Sequence, residues 1–397
     1  MKYAIVIPDG AADVPIDELG GRTPLEAANI PNMDWIAANG KCGTVRNVPP
    51  EMPCGSDVAI LSVLGYDPQK YYTGRAPLEA AARGLRVKPN EWVFRCNLVT
   101  IVDGVMEDHS SGNISTEESS ALIAELNRIL ANDQLHFFPG VSYRHLMTFS
   151  GKSDVTTTPP HDILGQTVEP HLPKGHGSDL FRTLIDRSEA VLADAEINQI
   201  RRDLGENPAT HIWIWGQGQM PQLPTFADRF GIASSASISA VDLVRGLSKL
   251  IGWDHIEVAG ATGFVDTNYA GKGSSAVEAL VDHDLVFVHV EAPDEAGHQS
   301  DAADKVHSIE QIDRHVVGPL LEYFRDNQTD DWRIMVLPDH PTPCSLRTHT
   351  GEPVPFAMAG KRIESVVHRP FTESSAVASD LYITRGCELM EFFLKVR

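Results

Sequence analysis

The chain is short of positive charge: 33 Lys and Arg stand against 54 Asp and Glu in 397 residues, a formal balance of −21 with every His neutral. A field of that sign repels phosphate backbones and anionic lipid, which argues against nucleic-acid and membrane partners. Cysteine is sparse as well. Cys42, Cys54, Cys96, Cys344 and Cys387 are odd in number, widely spaced and without a C-x-x-C, so neither a disulfide framework nor a zinc ribbon is expected and the thiols read as reduced. Long apolar runs are missing too. The first one ends at Pro8 and Asp9, too soon for a signal peptide or a membrane span, so a cytoplasmic location is expected. There is no repeat at solenoid spacing and no low-complexity tract.

What is present is ordinary for a soluble globule, 42% hydrophobic and 22% charged. The length suits roughly two to three domains at ~150 residues each. Three stretches share one pattern, a short apolar run rich in β-branched residues followed by an acidic residue and turn formers. They are Tyr3 to Ile7 before Pro8-Asp9-Gly10, Leu285 to Val290 before Glu291-Ala-Pro-Asp294, and Arg333 to Leu337 before Pro338-Asp339-His340. Continuous apolar strands imply burial on both faces, as in a parallel sheet covered by helices. In such sheets ligands bind beyond the carboxyl ends of the strands, so three Asp residues should meet at one edge.

His211 to Trp215 is a further strand candidate, with helices expected at Ser120 to Ala131, Glu196 to Leu204, Ser239 to Leu250 and Ala303 to Tyr323. The alternation predicts an α/β fold. Between about Arg86 and Leu180 the texture turns polar and irregular, with strand-like pieces at Trp92 to Thr100 and Tyr143 to Phe149. The expected layout is therefore a core domain of residues 1–85 and 181–397, interrupted by a smaller α+β cap of residues 86–180, with a cleft between them.

Asp294 and His298 lie four residues apart, close enough to reach one ion from a single helical turn. Alone the pair is weak, since the chain holds 16 His and 54 acids. Asp339-His340 after another strand, His349 in the following loop and Asp9 strengthen it, although Asp9 also suits a helix cap and His340 a satisfied core histidine. Mixed carboxylate and imidazole ligands without thiolate suit Mn²⁺, with Zn²⁺ or Mg²⁺ as alternatives. Six side chains are too many for one open catalytic ion and suit two, the arrangement that clamps attacking and leaving oxygens in phosphoryl transfer. Ser56, in Cys54-Gly-Ser-Asp57 ahead of a helical run from Asp57 to Leu64, is the nucleophile candidate. An N-cap position there would favour a phosphoserine, and Ser is equally a preferred cap with no chemistry. Gly271-Lys-Gly-Ser274 misses the P-loop spacing, and Gly216-Gln-Gly218 lacks the third glycine of a dinucleotide fingerprint.

With Asp9, Ser56, Asp294-x-x-x-His298, Asp339-His340 and His349 in chain order, the sequence resembles the alkaline phosphatase superfamily. More closely, it resembles the archaeal-type branch of the cofactor-independent (2,3-bisphosphoglycerate-independent) phosphoglycerate mutases. Thr73-Gly-Arg-Ala-Pro-Leu-Glu79, Trp213-Ile-Trp-Gly-Gln-Gly218 and His289-Val-Glu-Ala-Pro-Asp-Glu-Ala-Gly-His298 extend the likeness over nearly the whole chain. The resemblance implies one ion held by Asp294, His298 and His349 and another held by Asp9, Ser56, Asp339 and His340. It implies that Ser56 takes the phosphoryl group from 3-phosphoglycerate and returns it to the 2-hydroxyl, with the inserted segment acting as a lid. It also makes His109, in Asp108-His-Ser-Ser-Gly112, a substrate contact.

Arg95 and Lys272 are candidate phosphate or carboxylate ligands on their chemistry. Asn113 departs from the archaeal pattern, which tends to carry an arginine there. That leaves open a phosphotransferase acting on another small hydroxylated acceptor, homoserine kinase-like, or a metal-dependent phosphatase; a noncatalytic metal-binding scaffold is the reading from a different class. A small phosphorylated substrate is the expected partner, with a homo-oligomer possible.

Overall fold

The computed structural model describes residues 1–326, 331–365 and 368–395. They divide into two compact units, Met1–Tyr72 with Gln222–Arg397, and Thr73–Pro221.

The first unit is built on an eight-stranded, mostly parallel sheet flanked by helices. At its centre the Lys2–Pro8 strand lies between Leu285–Val290 and Trp332–Val336, parallel to both. Ala4 to Ile7, Leu285 to Val288 and Ile334 to Leu337 are all fully buried, which is the burial on both faces that their continuous apolar sequences require. The register aligns Pro8 with Val290 and Val6 with Val336, so the chain leaves all three strands at one edge. Asp9, Asp294 and Asp339 follow within a few residues. Lys41–Val45 and Val354–Gly360 extend the sheet by antiparallel pairing, and Ser235–Ile238 with Asp254–Ile256 complete the other side.

The helix expected from Ala303 to Tyr323 is interrupted. It runs Ala302–Ile312, passes through a π-turn at Asp313–Val317 and resumes as Gly318–Asp326. The Asp313 carboxylate is turned aside to accept the N–H groups of Met33 at 2.7 Å and Asn32 at 3.2 Å, the first turn of the Pro31–Asn39 helix.

The second unit centres on the long Trp92–Val102 strand. It pairs antiparallel with Val105–Asp108, Arg144–Phe149 and His211–Gln219, and Leu135–Val141 extends the sheet. The Thr116–Leu130 helix, closed by a Ser115/Glu118 capping box, and Ser178–Ala193 cover one face. This unit is wider than the expected 86–180. His211–Gln219 reads as a core strand from its apolar sequence but pairs with Trp92–Val102, Ile212 opposite Leu98, and it takes the preceding helices with it.

Two features of these units can be tested. Lys305 is fully buried, with Nζ 2.8 Å from Asp13 Oδ2 and 2.8 Å from the Thr342 carbonyl, while Cys344 N donates to the same Asp13 oxygen at 3.1 Å. The pair ties the loop after Lys2–Pro8 to the loop after Trp332–Val336. Removing one member strands the other's charge in the interior, so Lys305→Met is expected to cost about 3–5 kcal/mol in chemical unfolding, with Asp13→Asn on the same chain recovering part.

In the second unit, Asp108 accepts from Ser110 N and Oγ at 2.7 Å, Gly112 N at 2.6 Å and Asn207 Nδ2 at 2.9 Å. Burial raises its pKa, but these hydrogen bonds outweigh burial and hold it at about 2. A depressed carboxylate stabilises the fold above its unfolded value and loses that contribution as pH falls through the folded one. Asp108→Asn should therefore unfold more easily than wild type at pH 7, and the gap should close as the pH drops from about 4 towards 2.

Candidate metal centre

All seven residues singled out as ligands lie in the first unit, and the structure brings them together. Asp9 is anchored by its own N–H, which donates to Val290 O at 3.0 Å across the strand pair. Its Oδ2 meets His289 Nε2 at 2.8 Å, while Oδ1 faces His340 Nε2 at 3.7 Å. Asp339 Oδ1 accepts from Gly10 N at 3.2 Å and His340 N at 2.9 Å. Gly10 sits at φ +63°, and a Cβ there would come within 2.6 Å of both Asp294 Oδ1 and Thr342 Oγ1, so only glycine lets this loop pass over the carboxylates.

Asp294 stands in the first turn of the Ala292–Gln299 helix, with His298 one turn on. His298 Nε2 is 3.3 Å from Asp294 Oδ2 and His349 Nε2 is 3.4 Å from Asp294 Oδ1. Thr342 donates its hydroxyl proton to Asp294 Oδ1 at 2.5 Å. The remaining ring nitrogens have partners elsewhere: His298 Nδ1 lies 3.0 Å from Arg347 O, His349 Nδ1 3.4 Å from Cys54 O and His340 Nδ1 3.2 Å from Thr342 Oγ1. Each imidazole thus turns Nε2 towards the carboxylates, and in His298 and His349 a backbone carbonyl at Nδ1 favours the tautomer whose Nε2 carries the lone pair.

Ser56 Oγ lies 3.1 Å from His340 Nε2. Gly55, not Ser56, caps the helix, which runs Ser56–Val63; the expected N-cap is displaced by one residue. Ser56 is then the first helical residue, and its side chain is released from capping to face the cluster.

The electrostatics call for a cation. Burial, followed by the neighbouring Asp339 and Asp294 carboxylates, holds Asp9 well above the usual carboxylate range. Burial also raises Asp294, but hydrogen bonds from His298 and His349 outweigh it and hold Asp294 well below that range. The Asp294 hydrogen bond pushes His298 up to about 9, and His349 is raised by the same carboxylate against its burial. Asp9 Oδ1 and Asp339 Oδ2 are buried oxygens with no hydrogen-bond partner, and His298 Nε2 and His349 Nε2 converge to 2.9 Å. Donor atoms of Asp294, His298 and His349 lie within 4.8 Å of one another, as do those of Asp9, Asp294 and His340. The residues therefore fit divalent ions bound by oxygen and imidazole, in two adjoining groups that share Asp294.

The other candidates have partners of their own. Lys272 is fully buried and donates to the His289 carbonyl at 3.3 Å; burial lowers its pKa to about 8 against the pull of Glu291. It supports a strand end and does not present its charge to solvent. Arg95 and His109 belong to the second unit. Arg95 pairs with Glu79 at 3.2 Å and lies over the Trp215 ring at 4.1 Å. His109 packs edge-on to Tyr143, with ring centroids 5.7 Å apart. Asn113 adopts φ +51° beside Ser111 at +49° and Gly112 at +67°. Asn tolerates that left-handed conformation better than most side chains, which gives the residue a backbone reason for its place.

Sequence reasoning passed over His289, Thr342 and Asn47, whose Nδ2 donates to Asp339 O at 2.9 Å. The signal for His289 was available: it is the single polar residue in the run Leu-Val-Phe-Val-His-Val.

Residues 37–198 match the family model described as 2,3-bisphosphoglycerate-independent phosphoglycerate mutase. The chain is 47% identical over 400 residues to the protein of that name from Methanosarcina barkeri, covering 100% of both. Among solved structures, it superposes on a Pyrococcus horikoshii protein with a TM-score of 0.83 at 30% identity, covering 99% of this chain and 96% of that one. The cofactor-independent phosphoglycerate mutase from Thermoplasma acidophilum gives a TM-score of 0.69 at 27% identity, covering 99% of each. Full-length identity at this level, joined to an oxygen and imidazole cluster at the edge of a parallel sheet, identifies the chain as a member of the 2,3-bisphosphoglycerate-independent phosphoglycerate mutase family.

Proposed function

We propose that this chain interconverts 3-phosphoglycerate and 2-phosphoglycerate through a phosphoserine at Ser56, with two divalent ions, Mn²⁺ foremost, at the cluster. The observation that carries the proposal is the Ser56 hydroxyl at 3.1 Å from His340 Nε2, beside buried carboxylate oxygens without partners. Bound ions would neutralise those carboxylates, lower the pKa of the hydroxyl and clamp the phosphoryl oxygens.

The chain's own contribution is placement. In the first transfer the Ser56 Oγ–P bond forms as the bond from phosphorus to the 3-oxygen breaks, and the proton Ser56 gives up is balanced by the one the departing 3-oxygen takes to become a hydroxyl. In the second the 2-hydroxyl oxygen takes the phosphorus and gives up its proton, Ser56 Oγ leaves and recovers one, and nothing is consumed. The first turn of Ser56–Val63 sets its N–H groups and positive dipole end beside the phosphoserine. Arg95 is proposed for the substrate on its chemistry, because a guanidinium forks onto an oxyanion, and His109 on the family resemblance of its segment. Unpaired cysteines support a cytoplasmic enzyme, and among the described residues no helix is long and apolar enough to cross a membrane.

An enolase-coupled assay with 3-phosphoglycerate and Mn²⁺ tests the proposal. Wild type should form 2-phosphoglycerate, and Ser56→Ala should lose on the order of 10³-fold or more in rate, since nothing else takes up the phosphoryl group. No 2-phosphoglycerate from folded, metal-loaded wild type would overturn it. Turnover of homoserine with ATP would then favour a kinase, and phosphate release a phosphatase.

A further inference from the structure

A buried histidine that is not one of the expected ligands stands behind Asp9. His289 is the penultimate residue of the Leu285–Val290 strand, 1% exposed, with Ile7 opposite it in the parallel register. Asp9 follows two residues beyond that partner, so the pleat brings the imidazole against its carboxylate. Nε2 lies 2.8 Å from Asp9 Oδ2, and Nδ1 lies 3.2 Å from Ser239 Oγ. Ser239 Oγ in turn accepts the Val241 N–H at 3.0 Å.

The chain of partners fixes the direction of the protons. In the ionised form that binds a cation, an Asp9 oxygen can only accept, so Nε2 carries the hydrogen; Nδ1 is then the acceptor, and the Ser239 hydroxyl, already accepting from Val241, supplies the donor. The backbone is held as firmly: Lys272 Nζ donates to the His289 carbonyl at 3.3 Å, and Asp9 N to Val290 O at 3.0 Å.

We propose that His289 is a positioning residue for the ion at Asp9: by occupying Oδ2 and fixing the carboxylate plane, it leaves Oδ1 as the single metal-facing oxygen. Oδ1 is buried and has no hydrogen-bond partner. Because Oδ2 is engaged, Asp9 binds through one oxygen only. Ser239 acts one step further out by holding the ring in the tautomer that donates to Asp9. Outer hydrogen bonds of this kind orient ligands, and losing one typically weakens metal affinity about 10- to 100-fold. The inference rests on the two-ion reading above.

The test is Mn²⁺ binding by equilibrium dialysis on the full chain, for wild type, His289→Leu, His289→Gln and Ser239→Ala. Two ions should bind wild type. His289→Leu should weaken one of them about 10- to 100-fold and leave the other within about threefold. That other ion should vanish when His298→Ala is added, which places the weakened one on the Asp9 side. His289→Gln, which keeps an N–H donor, should recover most of the affinity, and Ser239→Ala should weaken the same ion by less. A uniform loss at both sites, or two undiminished ions in folded His289→Leu, would overturn the role of His289. Should His289→Leu not fold, undiminished binding by Ser239→Ala would overturn it equally. Fewer than two ions on wild type would instead overturn the two-ion reading.

Discussion

Three carboxylates, Asp9, Asp294 and Asp339, are buried at one edge of one sheet, each at most 5% exposed. Charges of one sign cannot be gathered out of water without a compensating charge, because desolvation and mutual repulsion both oppose the ionised form. Burial and the neighbouring carboxylates accordingly push Asp9 well above the usual carboxylate range, and the Asp294 carboxylate raises His298 and His349. Divalent ions would supply that charge and satisfy oxygens that have no other partner. The acidic excess of the whole chain then ceases to conflict with an anionic substrate, since the ions set the local field.

The fold works to hold that arrangement. The central strands fix where the three loops begin, and the loops are then tied to one another. Lys305 and Asp13 join the segments after Lys2–Pro8 and Trp332–Val336, Thr342 reaches from the second of these to Asp294, and Gly10 gives the first room to cross. Single breaks in such a frame would disturb the carboxylate cluster as well as stability, because the same groups serve both.

Much of this was legible in the sequence because buried parallel strands announce themselves as unbroken apolar runs, and their carboxyl ends are where ligands bind. Asp9, Asp294 and Asp339, with the histidines that follow the latter two, converge for that reason, whereas Ser56 opens the Ser56–Val63 helix and was legible through the Cys54-Gly-Ser-Asp57 segment. What stayed hidden depends on partners distant in the chain. Lys41–Val45 mixes Lys, Gly and Thr with its apolar residues, and it becomes a strand only through pairing with Val354–Gly360. His211–Gln219 carries the apolar signature of a core strand and belongs to the other sheet, which moved the boundary of the inserted unit from 86–180 to Thr73–Pro221. The break in the Ala302–Asp326 helical stretch comes from Asp313 serving a different helix, and local periodicity carries no trace of it.

The central claim is that two divalent ions supply the charge these buried carboxylates need. Anomalous X-ray scattering at the manganese edge, on crystals grown with Mn²⁺, tests it most directly. The account predicts two peaks at the sheet edge, one among Asp294, His298 and His349, the other among Asp9, Ser56, Asp339 and His340. A single peak at full loading, or peaks elsewhere with Asp9 Oδ1 and Asp339 Oδ2 still unpartnered, would contradict it.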